Sequence, residues 1–233
     1  CSLGNCYDVG DGVKQNIPKA LALYEQSSAQ GFPVAQSNAA MCYEHGEGAA
    51  VDQSKAVHYA RLAAQQGYAG GLYNLFKYYF YGQGVRRDPE QGLVHCLQGV
   101  EQGDLNCMCS FGKCVMQGYA VAIDKERGFQ LLLSAAQHDH YDSQIFVAEC
   151  LQEGQGVQSD IVEAVRFLRR AAKQNGDDAP EEKGVAPQDQ ARTASKKLQA
   201  FEKEYREQVS MLFCAIVASV HHSFRTTNNL IMC

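Results

Sequence analysis

Tryptophan is absent, and proline occurs only five times in 233 residues. So little proline leaves long helical stretches unbroken. No apolar run is long enough for a membrane span; Val209–Val220, mostly apolar, has 12 residues, and a spanning helix needs about 20. Basic residues are not in excess. Lys and Arg number 21 against 26 Asp and Glu, giving a net charge of −5 and a pI near 5.8. That balance argues against nucleic acid or an anionic membrane as the main partner. The first residues show no basic segment followed by an apolar stretch, so no signal peptide is visible there. The chain also lacks a nucleophile elbow, a phosphate-binding loop and a Rossmann fingerprint. No cofactor site is read from it, and no catalytic or metal constellation. With 45% hydrophobic residues, the composition is that of a folded chain.

What the chain has is glycine, 21 residues of it, at regular intervals. Five segments align without a gap at a spacing of 36: CYDVGDGVKQN from Cys6, CYEHGEGAAVD from Cys42, YYFYGQGVRRD from Tyr78, CVMQGYAVAID from Cys114 and CLQEGQGVQSD from Cys150. Such a period marks a repeat architecture. The first glycine of each is Gly10, Gly46, Gly82, Gly118 and Gly154. The second is Gly12, Gly48, Gly84 and Gly156, with Ala120 the exception. Each segment ends on Asn16, Asp52, Asp88, Asp124 or Asp160. Small residues follow at Ala20, Ala56, Gly92, Gly128 and Ala164.

Each column has a physical reading. Asp or Asn caps the free N–H groups of the helix that follows. Asp88-Pro89-Glu90 adds proline at the first helical position and an acid at the positive end of the dipole. Asp160 with Glu163 has the pattern of a capping box. Glycine ends the preceding helix and supplies positive φ. The small residues let two helices approach closely. The spacing predicts helix A over 17–29, 53–65, 89–101, 125–137 and 161–174. Helix B is predicted over 33–44, 69–81, 105–117 and 141–153. One such hairpin cannot bury its apolar face alone; a stack can.

The pattern resembles the Sel1-like repeat family, relatives of tetratricopeptide repeats. The resemblance is carried by Asn74-Leu75 with Tyr79, Gly82, Gly84, Val85 and Asp88, and by Ala56, Tyr59, Ala63, Ala64 and Gly67, and covers about residues 1–176. Tetratricopeptide repeats proper usually have a period of about 34 and lack the Gly-x-Gly-Val loop. The implied fold is all-α: a right-handed α-α superhelix, or solenoid, of helix-turn-helix repeats. The implied role is a non-catalytic protein–protein interaction scaffold or adaptor. The alternative is a regulatory repeat region of a larger enzyme, such as a kinase. A cysteine-rich, secreted subgroup of the family carries a disulfide in each repeat, with one cysteine at the end of helix A. Here those positions hold Ser28, Ala64, Val100, Ala136 and Ala172, so that subgroup's proposed penicillin-binding activity does not carry over.

Four regions follow: the repeat array over 1–176, an irregular loop over 177–187, a capping helix over 188–220 and a disordered tail over 221–233. Ser2-Leu3-Gly4 aligns with Asn38-Ala39-Ala40 in mid helix B. Further repeats are therefore expected upstream of Cys1.

Ten cysteines invite a disulfide or metal reading. Cys6, Cys42, Cys114 and Cys150 share one column, and equivalent helices in a stack lie about 8–10 Å apart or more, beyond the roughly 7 Å Cα limit of a disulfide. Buried free thiols and a reducing, cytoplasmic compartment are expected. Cys107, Cys109 and Cys114 lack the paired spacing of a zinc site. His138 and His140 are expected to be solvated in a polar turn. Arg166, Arg169, Arg170 and Lys173 form a basic stripe, read as a solvated face, an acidic-partner contact or a contact with the acidic stretch 177–182. A protein or peptide partner is expected on the concave face of the solenoid. The columns through His58, Leu62, Val94, Gln98, Gln130, Ser134, Arg166 and Arg170 change type from unit to unit and are the expected partner-binding positions.

Overall fold

The computed structural model describes residues 2–174, 196–200 and 203. Ten helices follow one another over residues 2–174: α1 (Ser2–Val9), α2 (Ile17–Ala29), α3 (Pro33–His45), α4 (Gln53–Gln65), α5 (Ala69–Tyr81), α6 (Pro89–Glu101), α7 (Leu105–Gln117), α8 (Lys125–Gln137), α9 (Tyr141–Glu153) and α10 (Ile161–Gln174). Nine of the predicted helices fall where the repeat placed them, α3 running one residue further. Each helix packs against the next in sequence, and α3 also touches α5. The result is an all-α stack of hairpins.

The loop columns act as their chemistry dictates. The side chains of Asn16, Asp52, Asp88, Asp124 and Asp160 each accept a hydrogen bond from the backbone N–H three residues on, at 2.9–3.0 Å. The capping box at Asp160 is only half made, because the Glu163 carboxylate turns to Arg166 at 2.8 Å. Gly46 closes α3 in the left-handed conformation, φ 76°. The Cys42 carbonyl then accepts from the N–H of Glu47 at 2.8 Å, and the Asp52 N–H returns to the Tyr43 carbonyl at 2.9 Å. The same pair of bonds recurs in all five loops, so the loop is rigid and sets the hairpin geometry. The second glycine has a different task. A Cβ on Gly84 would lie 2.5 Å from the Gln53 carbonyl oxygen, and Gly48 and Gly156 likewise let their loops press on the start of an earlier even-numbered helix.

The central odd-numbered helices, α5 and α7, are buried on two faces. From α5, Leu75 and Tyr78 join the core of the first repeats while Phe76 and Phe80 join the next. From α7, Cys107 and Cys114 face that middle cluster, and Cys109 and Met116 face the last one. Small residues allow the closest approaches: a Cβ on Gly128 would meet the Gly112 carbonyl oxygen at 2.7 Å. Cys42, Cys96, Cys107, Cys109, Cys114 and Cys150 are buried free thiols and Cys6 is half-buried. Burial pushes the Cys42 and Cys114 thiols up to about 12 and Cys150 up to about 11.

Of the expected capping helix, residues 196–200 are helical. Leu198 packs on the last core cluster, and Lys197 pairs with Glu149. The rest of that helix, the 177–187 loop and the 221–233 tail lie outside the described residues.

Candidate functional site

The eight expected partner-binding residues all lie on even-numbered helices. His58, Val94, Gln98, Gln130, Arg166 and Arg170 are exposed, while Leu62 and Ser134 are half-buried. They form two residues per helix, one turn apart, repeated along the stack. Gln98 lines a cavity of about 260 Å³ with Arg61, Tyr79 and His95. Arg166 pairs with Glu163 on its own helix, and Arg170 reaches Asp139 in the α8–α9 turn at 2.6 Å. That contact holds the Asp139 carboxyl below the usual carboxylate range. Part of the basic stripe is thus bound to its own array.

The odd-numbered helices contact one another across repeats more directly. Asn74 donates to the Ser37 hydroxyl at 3.4 Å, and the Tyr78 hydroxyl donates to Glu44 at 3.0 Å. Lys77 pairs with the same carboxylate at 2.9 Å. Two adjoining cavities open along this layer. One, of about 240 Å³, lies between α5 and α7 and is lined by Tyr73, Phe80, Tyr81, Asn106, Lys113 and Tyr119, among others. The other, of about 140 Å³, lies between α7 and α9 and shares Lys113 and Gln117 with the first. The aromatic edge is exposed: Tyr81 keeps 63% and Tyr119 54% of its surface. Both rings pack edge-on against Phe80.

His140 reaches this cavity too, and the reading of it as a solvated turn residue is corrected. It is half-buried and caps α9. The Ser143 backbone N–H can only donate, so Nδ1 of His140 is the acceptor, at 3.3 Å. The proton then sits on Nε2, which donates to Asn106 Oδ1 at 3.1 Å across the repeat boundary. Burial, with help from the Lys113 charge, holds this imidazole below its ordinary value. His138 stays exposed, with Nδ1 at 2.8 Å from the Ser134 carbonyl. Among the described residues no group of three or more His, Cys, Asp or Glu is placed to hold a metal ion.

The profile of the Sel1 repeat matches five times, over residues 1–32, 33–68, 69–104, 107–140 and 142–176. The chain belongs to the Sel1 repeat family. Its solved relatives include a Sel1 repeat protein from Oxalobacter formigenes, 28% identical, with a TM-score of 0.70 over 84% of this chain and 72% of that one. A protective antigen of uropathogenic Escherichia coli, c5321, which displays an SLR fold, is also 28% identical, with a TM-score of 0.64 over 75% of this chain. This chain spans 38% of the length of that antigen. The immunity protein Pa5087 of Pseudomonas aeruginosa, 15% identical with a TM-score of 0.57, shares the fold. No curated protein matches. Sel1 repeat proteins are generally protein-interaction scaffolds and typically non-catalytic.

The family's unit opens on an odd-numbered helix, half a unit away from the hairpin frame used to read the sequence. That shift matters for the site. Counted from helix A, the variable columns stand on the even-numbered helices, and Tyr73, Tyr81, Lys113 and Tyr119 lie outside them. The signal was available in the same alignment. Tyr119 stands where the other repeats have Asp11, Glu47, Gln83 and Gln155, and Phe80 where they have Asp8, Glu44, Met116 and Gln152.

Proposed function

We propose that this chain is a non-catalytic scaffold that binds a protein partner in the layer of odd-numbered helices. The observation that carries this is the cavity between α5 and α7. Most of its walls, Tyr73, Phe80, Tyr81, Asn106 and Tyr119 among them, come from columns that vary between repeats, whereas the caps, glycines and small residues that build the fold recur. Direct contacts between odd-numbered helices support that layer as the inner, concave side, because like helices come closest at the smaller radius. Exposed tyrosines beside polar groups are typical of the centre of a protein interface.

The even-helix columns through His58, Leu62, Val94, Gln98, Gln130, Ser134, Arg166 and Arg170 form a second candidate surface. Their exposure and their change of type along the stack support it. Co-purification from cells can compare two variants. One is Tyr81→Ser with Tyr119→Gln; the other is His58→Ala, Arg166→Ala and Arg170→Ala. Loss of a partner with the first alone supports the odd-helix layer, and loss with the second alone supports the even-helix stripe. Retention of every partner by both variants would reject both surfaces. The buried, unreactive thiols fit a reducing compartment such as the cytoplasm, and fractionation with a thiol-labelling count tests that.

A further inference from the structure

Lys77 and Lys113 occupy the same column of successive repeats, 36 residues apart. Their surroundings differ at one decisive place. Lys77 is neutralised by Glu44 of the preceding repeat at 2.9 Å, and that carboxylate has only 8% of its side chain exposed. Thirty-six residues after Glu44 comes Phe80. The lysine of the next unit is retained, but the acid that should neutralise it is replaced by an aromatic ring. Among the described residues no carboxylate lies within 4.0 Å of the Lys113 ammonium. It lies over the face of Phe146, 3.8 Å from ammonium to ring centroid, and also reaches the Cys109 side chain.

The rest of the cavity lining points the same way. Asn106 accepts from His140 through Oδ1, which leaves its amide nitrogen as a donor. The Tyr81 and Tyr119 hydroxyls are further donors at the exposed edge. Glu149 and Glu153 line the adjoining cavity with Lys113, but neither comes within 4.0 Å of its ammonium. A half-buried cation left unpaired beside donors and aromatic rings suits a group that brings an acceptor charge and an apolar body. Asp142, exposed in the same lining, disfavours a second acid beside the first.

Resting on the scaffold reading above, we propose that this cavity takes a partner segment carrying an aspartate or glutamate next to a large apolar side chain. The carboxylate pairs with Lys113, in the role that Glu44 plays for Lys77. The apolar side chain lies among Tyr73, Phe80, Tyr81 and Tyr119. The partner thus completes an ion pair that the array makes for itself one repeat earlier.

The test is a random-peptide phage library panned on the full chain, with the enriched peptides synthesised and titrated by fluorescence anisotropy. The expected consensus is one acidic residue beside Phe, Tyr, Leu, Ile or Met. Lys113→Gln should weaken these peptides about tenfold or more. Lys113→Glu should reverse the preference toward peptides with Lys or Arg at the acidic position. Phe80→Glu restores the repeat's own acid and should abolish binding by occupying Lys113 from within. Thermal melting confirms that each variant is folded, and the charge reversal keeps the test decisive if one variant is not. Enriched peptides that lack an acid, or that bind Lys113→Gln as tightly as the wild type, would overturn this assignment and leave the scaffold reading standing. Panning that enriches no peptide on any surface would count against both.

Discussion

At the scale of single residues, the departures from the repeat carry the information. Ala120 holds the left-handed conformation, φ 54°, where glycine stands in the other four units. An L-residue there costs about 1–2 kcal/mol, partly offset by the lower entropy of alanine in the unfolded chain. Ala120→Gly should therefore stabilise the protein by about 0.5–1 kcal/mol, read as a shift of the urea midpoint. The strain sits one residue from Tyr119 at the cavity edge. His140 gives a pH dependence. Burial lowers it from its ordinary 6.5, so on acidification the unfolded chain takes up the proton first. The stability contributed by the neutral imidazole is complete above that value and is lost as the pH falls from it toward the folded value. His95, also lowered by burial, acts in the same direction. His140→Asn keeps a side-chain oxygen to cap α9 and removes one of the two titrations. The slope of melting temperature against pH should flatten below 6.5; an unchanged slope would refute the assignment.

At the scale of elements, each hairpin is fixed by a cap, a closed loop and a close contact. Asp124→Ala removes the side-chain acceptor of α8, a bond of 2.9 Å to the Arg127 N–H, and should cost about 1 kcal/mol. Gly84→Ala should cost more, about 2 kcal/mol or above. It adds a positive-φ penalty to a 2.5 Å clash with the Gln53 carbonyl. Denaturant titration of the two variants checks the order. These elements were legible because caps, helix-ending glycines and small residues act through local backbone chemistry, and five copies repeat them in register. The half-made capping box was not legible, because whether Glu163 turns to Asp160 or to Arg166 is decided by side-chain competition on the helix.

At the scale of the whole molecule, the stack is a chain of nearest-neighbour interfaces. Leu132, fully buried in α8, should cost about 3 kcal/mol when cut to alanine. Tyr24, in the core of the first repeats, is remote from it. A double variant of Leu132→Ala and Tyr24→Leu should show additive losses in unfolding free energy, since the two sites share no partner. A deviation well beyond the usual 0.5 kcal/mol of additivity would point to longer-range coupling. Among the described residues no helix is long and apolar enough to cross a membrane. The charge of the helices is split between layers. Odd-numbered helices carry two Lys against five Asp and Glu, and even-numbered helices carry nine Lys and Arg against five Glu.

The sequence by itself determined the period, the helix bounds, the five caps and the family, because each depends on neighbours in the chain. It also placed variable columns on exposed helix faces. Only the tertiary structure decided where the cavities lie, because that requires knowing which helices of separate repeats approach one another. It decided that His140 is a half-buried cap joined to Asn106, where a polar turn had suggested solvent. It also separated Lys77 from Lys113: the column is the same, and the difference lies in what the preceding repeat holds against each ammonium, a carboxylate for one and the ring of Phe80 for the other.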